Sequence, residues 1–312
     1  MQKIVTIGGG AGQFQILRGL KHYDCDITAI VTMCDDGGLS TKRLRDEHGV
    51  LPPGDVRQCL IALADDERAK LLRKVFGYRF SKGTGLSGHN LGNLIITALS
   101  EMYGDVEGIK EAEKLLGIRG KVLPVTIDKV KLYGEMENGE ILEGQAKISY
   151  PEENLKIKNI FYQPEAFLYR EVKEAIKEAD KIVVCPGDFY GSILSNFVVK
   201  GMAEALKERK AKKIYVCNLV TKQGTFGFKA SNFVKEIEKY SGIKIDKIII
   251  NGEDVDKAVK EKYLAENSVI VEDDLGNDTR IIRGNFVGVY PSEEKTILRH
   301  IPEKIAREII GI

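Results

Sequence analysis

The chain has 312 residues, 43% hydrophobic and 30% charged, a composition that fits a globular protein able to bury one large core or two closely packed ones. Its 47 Lys and Arg against 46 Asp and Glu leave a formal net charge of +1, which removes bulk electrostatics as a route to nucleic acid or an anionic membrane. No apolar run approaches the roughly 18 residues of a membrane span. Residues 1–7 pass from a short apolar stretch into glycines without a signal-peptide core. The 5 cysteines (Cys25, Cys34, Cys59, Cys185 and Cys217) are widely spaced and form no C-x-x-C pair, a reduced usage that is neither a disulfide framework nor a zinc site. A cytoplasmic α/β protein is expected, with no nucleic acid partner and no membrane insertion.

Short β-branched runs alternate with longer helical stretches along the chain, the pattern of βαβ units on a parallel sheet. Residues 3–7 read as a first strand, 13–21 as the helix after its glycine turn, and 27–33 as a second strand. Residues 55–65 and 90–103 read as helices. Asn138-Gly139 then sits between two period-2 stretches, 129–135 and 141–148, which predicts an antiparallel hairpin inserted near residues 128–162. A helix is expected over 165–178. Strands are expected over 180–185, 213–218, 247–251 and 268–271, separated by helices over 192–207, 231–241 and 255–266. Residues 291–308 read as a closing helical region. The expected architecture is a single domain over residues 1–312: a doubly wound, mostly parallel Rossmann-like sheet with an antiparallel hairpin insertion.

Ligands of such sheets bind beyond the carboxyl ends of the strands, so the residues there carry the information. The first strand runs into Gly8, Gly9, Gly10, Ala11 and Gly12, a turn that either cradles a phosphate on the following helix or lets helix and strand pack closely. Gln13 stands where a dinucleotide fingerprint needs glycine, and no P-loop lysine follows. The second strand ends in Asp35-Asp36-Gly37-Gly38. Paired acids there can hold a ribose, chelate Mg²⁺ or accept a proton, or form a solvated turn. Downstream, Arg45 precedes a rigid Pro52-Pro53-Gly54 loop, after which Asp55 is placed to cap a helix. Arg57 is unfavourable for that helix's dipole, and so reads as a phosphate fork. Residues 83–93 are either a phosphate nest or a loop capped by Asn90, with His89 in a hydrogen-bonding role. Gly187 and Ser192, then Asn218, end later strands in the same manner, with Ser192 placed to cap. Four such loops at one sheet edge favour a nucleotide or phosphosugar site.

In order along nearly the whole chain, these motifs resemble the YvcK-like gluconeogenesis-factor family, itself related to 2-phospho-L-lactate transferase (CofD). The matching segments include Gly8 to Gly12, Asp35-Asp36-Gly37-Gly38, Leu51-Pro52-Pro53-Gly54-Asp55-Val56-Arg57, Gly88-His89-Asn90-Leu91-Gly92-Asn93 and Leu298-Arg299-His300-Ile301-Pro302. The resemblance implies a Rossmann-like fold, a homodimer, and a regulator that binds a UDP-sugar such as UDP-N-acetylglucosamine. It also implies links to carbon metabolism, cell shape and envelope synthesis, with regulatory protein partners. On this reading Gly8, Gly9, Gly10, Gly12, His89, Asn90, Asn93, Gly187, Ser192 and Asn218 line the ligand, while Asp35 and Asp36 meet ribose or metal. Arg45 and Arg57 neutralise phosphate, and the family positions Tyr263 and Arg299 stack on a base and pair with phosphate. The alternative is a CofD-like transferase of a phospho-lactate-type group, with Asp36, Asp55 and Arg57 as its catalytic candidates and Mg²⁺ on Asp36. A nicotinamide-dependent oxidoreductase is disfavoured by Gln13. The chain departs from the family pattern at Ala11, at Asp188 and in the stretch after Gly38. It also departs in the loop Thr221-Lys222-Gln223-Gly224.

Overall fold

The protein is described here from a computed structural model that covers residues 1–36, 38–67, 69–152, 156–291 and 296–312. The chain opens with β1 (Gln2–Gly8), α1 (Gly10–Leu20) and β2 (Cys25–Val31), then runs through five helices, α2 (Leu39–His48), α3 (Pro53–Leu63), α4 (Lys70–Gly77), α5 (Leu91–Tyr103) and α6 (Asp105–Leu116), to β3 (Lys121–Pro124). The insertion consists of β4 (Lys131–Met136), β5 (Ile141–Glu143), α7 (Gln145–Ser149) and β6 (Ile157–Gln163). After α8 (Arg170–Glu178) and β7 (Lys181–Val184) comes a π-helical turn over Phe189–Leu194 and a single turn α9 (Ser195–Phe197). The second half continues with α10 (Met202–Glu208), β8 (Lys212–Val216), α11 (Ala230–Ser241), β9 (Lys247–Asn251), α12 (Lys257–Ala265) and β10 (Ile281–Gly284). It closes with the hairpin β11 (Val287–Pro291) and β12 (Thr296–His300) and the helix α13 (Pro302–Gly311).

Seven strands form one sheet in the order β10-β9-β8-β7-β1-β2-β3, with every neighbouring pair parallel. Strands covered by helices on both faces lose the inside-outside alternation and read as continuous apolar runs. β7 and β1 behave so: Ile182, Val183 and Val184 are fully buried, as are Ile4 and Ile7. α1 packs between α3 and α13, while α10 packs on α8 and α11. Gln13 fills the place of the missing fingerprint glycine. Its buried amide donates to the carbonyls of Gly8 at 3.2 Å and Ile30 at 2.9 Å and accepts from the Thr6 hydroxyl, stitching β1 to β2. Lys181, buried at the start of β7, donates to the carbonyls of Ile309 and Ile310 at the end of α13 and to the Gln2 side chain.

Several expected elements take other forms. The stretch 141–148 is a strand only as far as Glu143; it then becomes α7, and β4 pairs instead with both β5 and β6 in a separate antiparallel sheet. The helix expected from 165 starts at Arg170, with Tyr169 extended before it. Residues 268–271 form no strand of the sheet but run antiparallel to residues 219–221, with a bridge between Val220 and Ile270, and the edge strand is β10. The closing region is a hairpin followed by α13, with residues 292–295 outside the described residues, as is Gly37 of the acidic turn. Asp55 is not the cap of α3, whose flanking residue is Pro52. Ser192 lies inside the π-helical turn flanked by Asp188.

Candidate functional site

Strand order reverses between β1 and β7: the chain builds outward from β1 through β2 and β3, then returns to the other side of β1 to lay down β7, β8 and β9. Loops leaving the carboxyl ends of these two neighbours diverge and leave a crevice, the switch point at which open α/β sheets bind ligands. A cleft of about 500 Å³ occupies that place. Its floor is the first turn of α1, where Gly9 is the flanking residue and neither a capping side chain nor an acidic residue is present. Uncapped backbone N–H groups and the positive end of the helix dipole there favour an anion. A Cβ on Gly12 would stand 1.8 Å from the Pro186 carbonyl oxygen, so a side chain at that position would force α1 away from the β7 loop. Close packing and an open helix terminus therefore coexist in the same turn.

Asp55, in the first turn of α3, reaches into the cleft beside Gly9. Its Oδ2 is shut off from solvent and has no hydrogen-bond partner among the described residues. Burial, reinforced by the negative charge of Asp35 and of Asp188, pushes its carboxyl up to about 8, against the Gly10 N–H and Arg57, which act in the opposite sense. Asp188 closes the opposite side. It accepts hydrogen bonds from Ser149 and, at 3.5 Å, from Gln145, and lies 3.7 Å from the Lys222 ammonium. Lys222 also sits 5.3 Å above the ring of Tyr150, a half-exposed aromatic at the cleft mouth. Gln145 donates to the Ser192 hydroxyl at 2.9 Å. Asn218 spans the gap to the β7 loop by donating to the Gly187 carbonyl at 2.6 Å. On the far wall the Tyr263 hydroxyl accepts from the Leu298 N–H at 2.8 Å, with exposed Arg299 beside it. His300 is buried there against the Cys217 carbonyl, and burial lowers its pKa to about 4, which keeps the ring neutral at pH 7.

Of the residues singled out from sequence, the cleft thus brings together Gly9, Gly12, Asp55, Gly187, Ser192, Asn218, Tyr263 and Arg299. Gly8 and Gly10 lie immediately behind its floor. Arg57, Asn90 and Asn93 form a buried network instead: Arg57 donates to Asn93 Oδ1 at 2.8 Å, Asn90 caps α5 by accepting from the Asn93 N–H, and Asn93 donates to the Ser40 and Thr41 hydroxyls. Burial and nearby Arg79 lower the Arg57 pKa to about 10 despite Asp35 and Asp55. His89 is buried beside this network. Arg45 lies on α2 and pairs with Asp46 at 2.8 Å. Asp35 stands against Gly54 at the rear of the acidic turn. Asp36 accepts from the Ala146 N–H at 3.0 Å, which fastens the start of α7. Among the described residues no three His, Cys, Asp or Glu side chains gather into a metal-binding group.

Sequence reasoning did not single out Gln145 and Tyr150, because α7 lay inside what read as a strand. Nor did it single out Lys222 and Gln223 as lining residues. For Lys222 and Asp188 a signal existed, since both fall where the chain departs from the family pattern.

A sequence profile of the 2-phospho-L-lactate transferase CofD family matches residues 4–287. A gluconeogenesis factor of Halalkalibacterium halodurans is 42% identical over 99% of this chain and 96% of its own. The Bacillus subtilis gluconeogenesis factor is 40% identical over 99% and 98%, respectively. A Bacillus halodurans protein solved by X-ray crystallography superposes with a TM-score of 0.91 at 40% identity, covering 99% of both chains. Agreement over nearly full length in both sequence and fold leaves one assignment: the chain belongs to the CofD family, among its gluconeogenesis factors.

Proposed function

We propose that the switch-point cleft binds a nucleotide sugar resembling UDP-N-acetylglucosamine and that the protein is a cytoplasmic regulator, working as a homodimer. On this reading it ties nucleotide-sugar level to carbon metabolism, as the names of its relatives imply, and to cell shape and envelope synthesis through protein partners. The observation that carries the reading is the uncapped N-terminus of α1 opening onto a cleft rimmed by Lys222 and Arg299. Two phosphates could lie over those N–H groups, with the ammonium and guanidinium offsetting charge and Tyr150 or Tyr263 offering a face to a base. Among the described residues no helix is long and apolar enough to cross a membrane.

A second reading is favoured by Asp55, whose carboxyl titrates near neutral pH in the cleft, as a general acid or base would. Under a CofD-like transferase it would receive the acceptor proton. Asp36, the carboxylate expected to hold Mg²⁺, serves α7, and the described residues offer no ready cage for that ion.

The test is a thermal-shift screen of the purified protein against UDP-N-acetylglucosamine, UDP, GDP, NAD and NADP, with and without Mg²⁺. A ligand present at 100 times its Kd stabilises by about 2.7 kcal/mol. A rise with UDP-N-acetylglucosamine that needs no Mg²⁺ and shrinks in Lys222→Ala is the expected result. A rise confined to GDP with Mg²⁺ would favour the transferase, and no rise with any uridine nucleotide would end the first reading.

A further inference from the structure

A second cleft, of about 680 Å³, lies beyond the carboxyl ends of β8, β9 and β10, on the far side of Leu219 and Leu298 from the first. It is the larger of the two, and its volume falls within the range of small-molecule sites. Ile250, Val255, Val271 and Leu298 form an apolar floor, and α12 lies across the opening. This helix has no buried residue at all. A helix of nine residues is too short to hold itself together in water and ordinarily draws its stability from an apolar face packed on the core. α12 turns Leu264, which is 55% exposed, toward an apolar floor with nothing packed between them. It is held by its ends and edges: the Asp256 cap, the Lys260–Asp254 pair and the bond to the Tyr263 hydroxyl.

We propose that this cleft is a second ligand site, for a small apolar molecule carrying a protonated amine. The apolar floor and the unsatisfied face of α12 ask for an apolar body. The rim decides the charge. Two of its cations are closely paired, Lys260 with Asp254 and Arg283 with Asp273, while Lys257 stands in an exposed pair 3.8 Å from Glu261. The Asn251 amide spends its oxygen on the Phe286 N–H and one of its two N–H groups on the Glu253 carbonyl. Glu253, at the mouth, has no ion pair among the described residues and is the group an ammonium would meet. The occupant supplies the burial that α12 lacks. This site does not depend on what the switch-point cleft binds.

Tryptamine and indole-3-acetate, which share a ring system and differ in charge, serve as probes in isothermal titration. Tryptamine is expected to bind about tenfold more tightly than indole-3-acetate. Leu264→Arg should weaken it about tenfold, the loss expected for one leucine contact. Because Leu264 is exposed, that variant should keep the parent's melting midpoint. Glu253→Gln should remove most of the preference for the amine while leaving binding of uncharged indole unchanged. Equal binding of the two probes, or tryptamine binding indifferent to Leu264→Arg, would overturn the proposal. So would a parent whose oligomeric state in analytical ultracentrifugation is lost in Leu264→Arg, since the cleft would then be a contact between copies.

Discussion

Asp55 shows how one side chain can be held in an energetically poor state for the sake of a site. Its folded-state pKa of about 8 lies above the ordinary carboxylate value of 3.8, so the folded protein holds this proton where the unfolded chain has already released it. The ligand-free protein therefore loses stability as pH rises from about 4 to about 8, and the loss levels off above that. Asp55→Asn removes the ionisation while keeping the shape. The variant is expected to melt several degrees above the parent at pH 8.5, with the gap closing toward pH 4, as differential scanning calorimetry across that range would show. Nucleotide-sugar binding should survive the change under the regulator reading, whereas any group transfer should be abolished. The sequence pointed to Asp55 both as a helix cap after Pro-Pro-Gly and, under the transferase alternative, as a catalytic candidate. Only the fold reveals that the first turn of α3 faces β1's glycines. Arg57 and Asn93, read as ligand contacts, are buried and hydrogen-bonded to each other.

Among the elements, α7 is the least legible and the most consequential. Residues 141–148 alternate well enough to read as a strand, yet Gly144 takes a φ of +98° and stops β5 after three residues. What replaces the ladder is a long-range contact, the Asp36 carboxylate accepting from the Ala146 N–H, and no local pattern encodes a cap 110 residues away. Through it the acidic turn after β2 positions a helix that delivers Gln145 and Tyr150 to the cleft. Asp36→Ala should cost about 1 kcal/mol of stability, the usual loss for a helix cap, measured by urea unfolding. It should also weaken UDP-N-acetylglucosamine binding severalfold without creating or removing a Mg²⁺ requirement. A loss of affinity restored by adding Mg²⁺ would instead place Asp36 at a metal. The parallel strands were far more legible, because burial on both faces leaves an apolar signature that no surface strand shares. β10, only partly buried at the edge, carries no such mark.

At the scale of the whole molecule, the alternation of strand and helix made the sheet readable, and the glycine-rich loops located its working edge. What they did not reveal is that the second half of the sheet has a working edge of its own beneath α12. A further property follows from Lys181. Its ammonium lies 2.8 Å from the Ile309 carbonyl, 2.7 Å from that of Ile310 and 3.2 Å from the Gln2 side chain, so one buried nitrogen ties the start of β1 to the last turn of α13. Two segments fastened side by side in this way can be joined covalently. Joining residue 312 to residue 1 through a linker of about six residues, able to reach some 20 Å, and opening the ring at the exposed Asn138-Gly139 turn should give a circular permutant that folds and melts close to the parent. Ending the chain at Glu308 should do the reverse, since it strips a buried ammonium of two carbonyl partners and leaves it the Gln2 side chain alone.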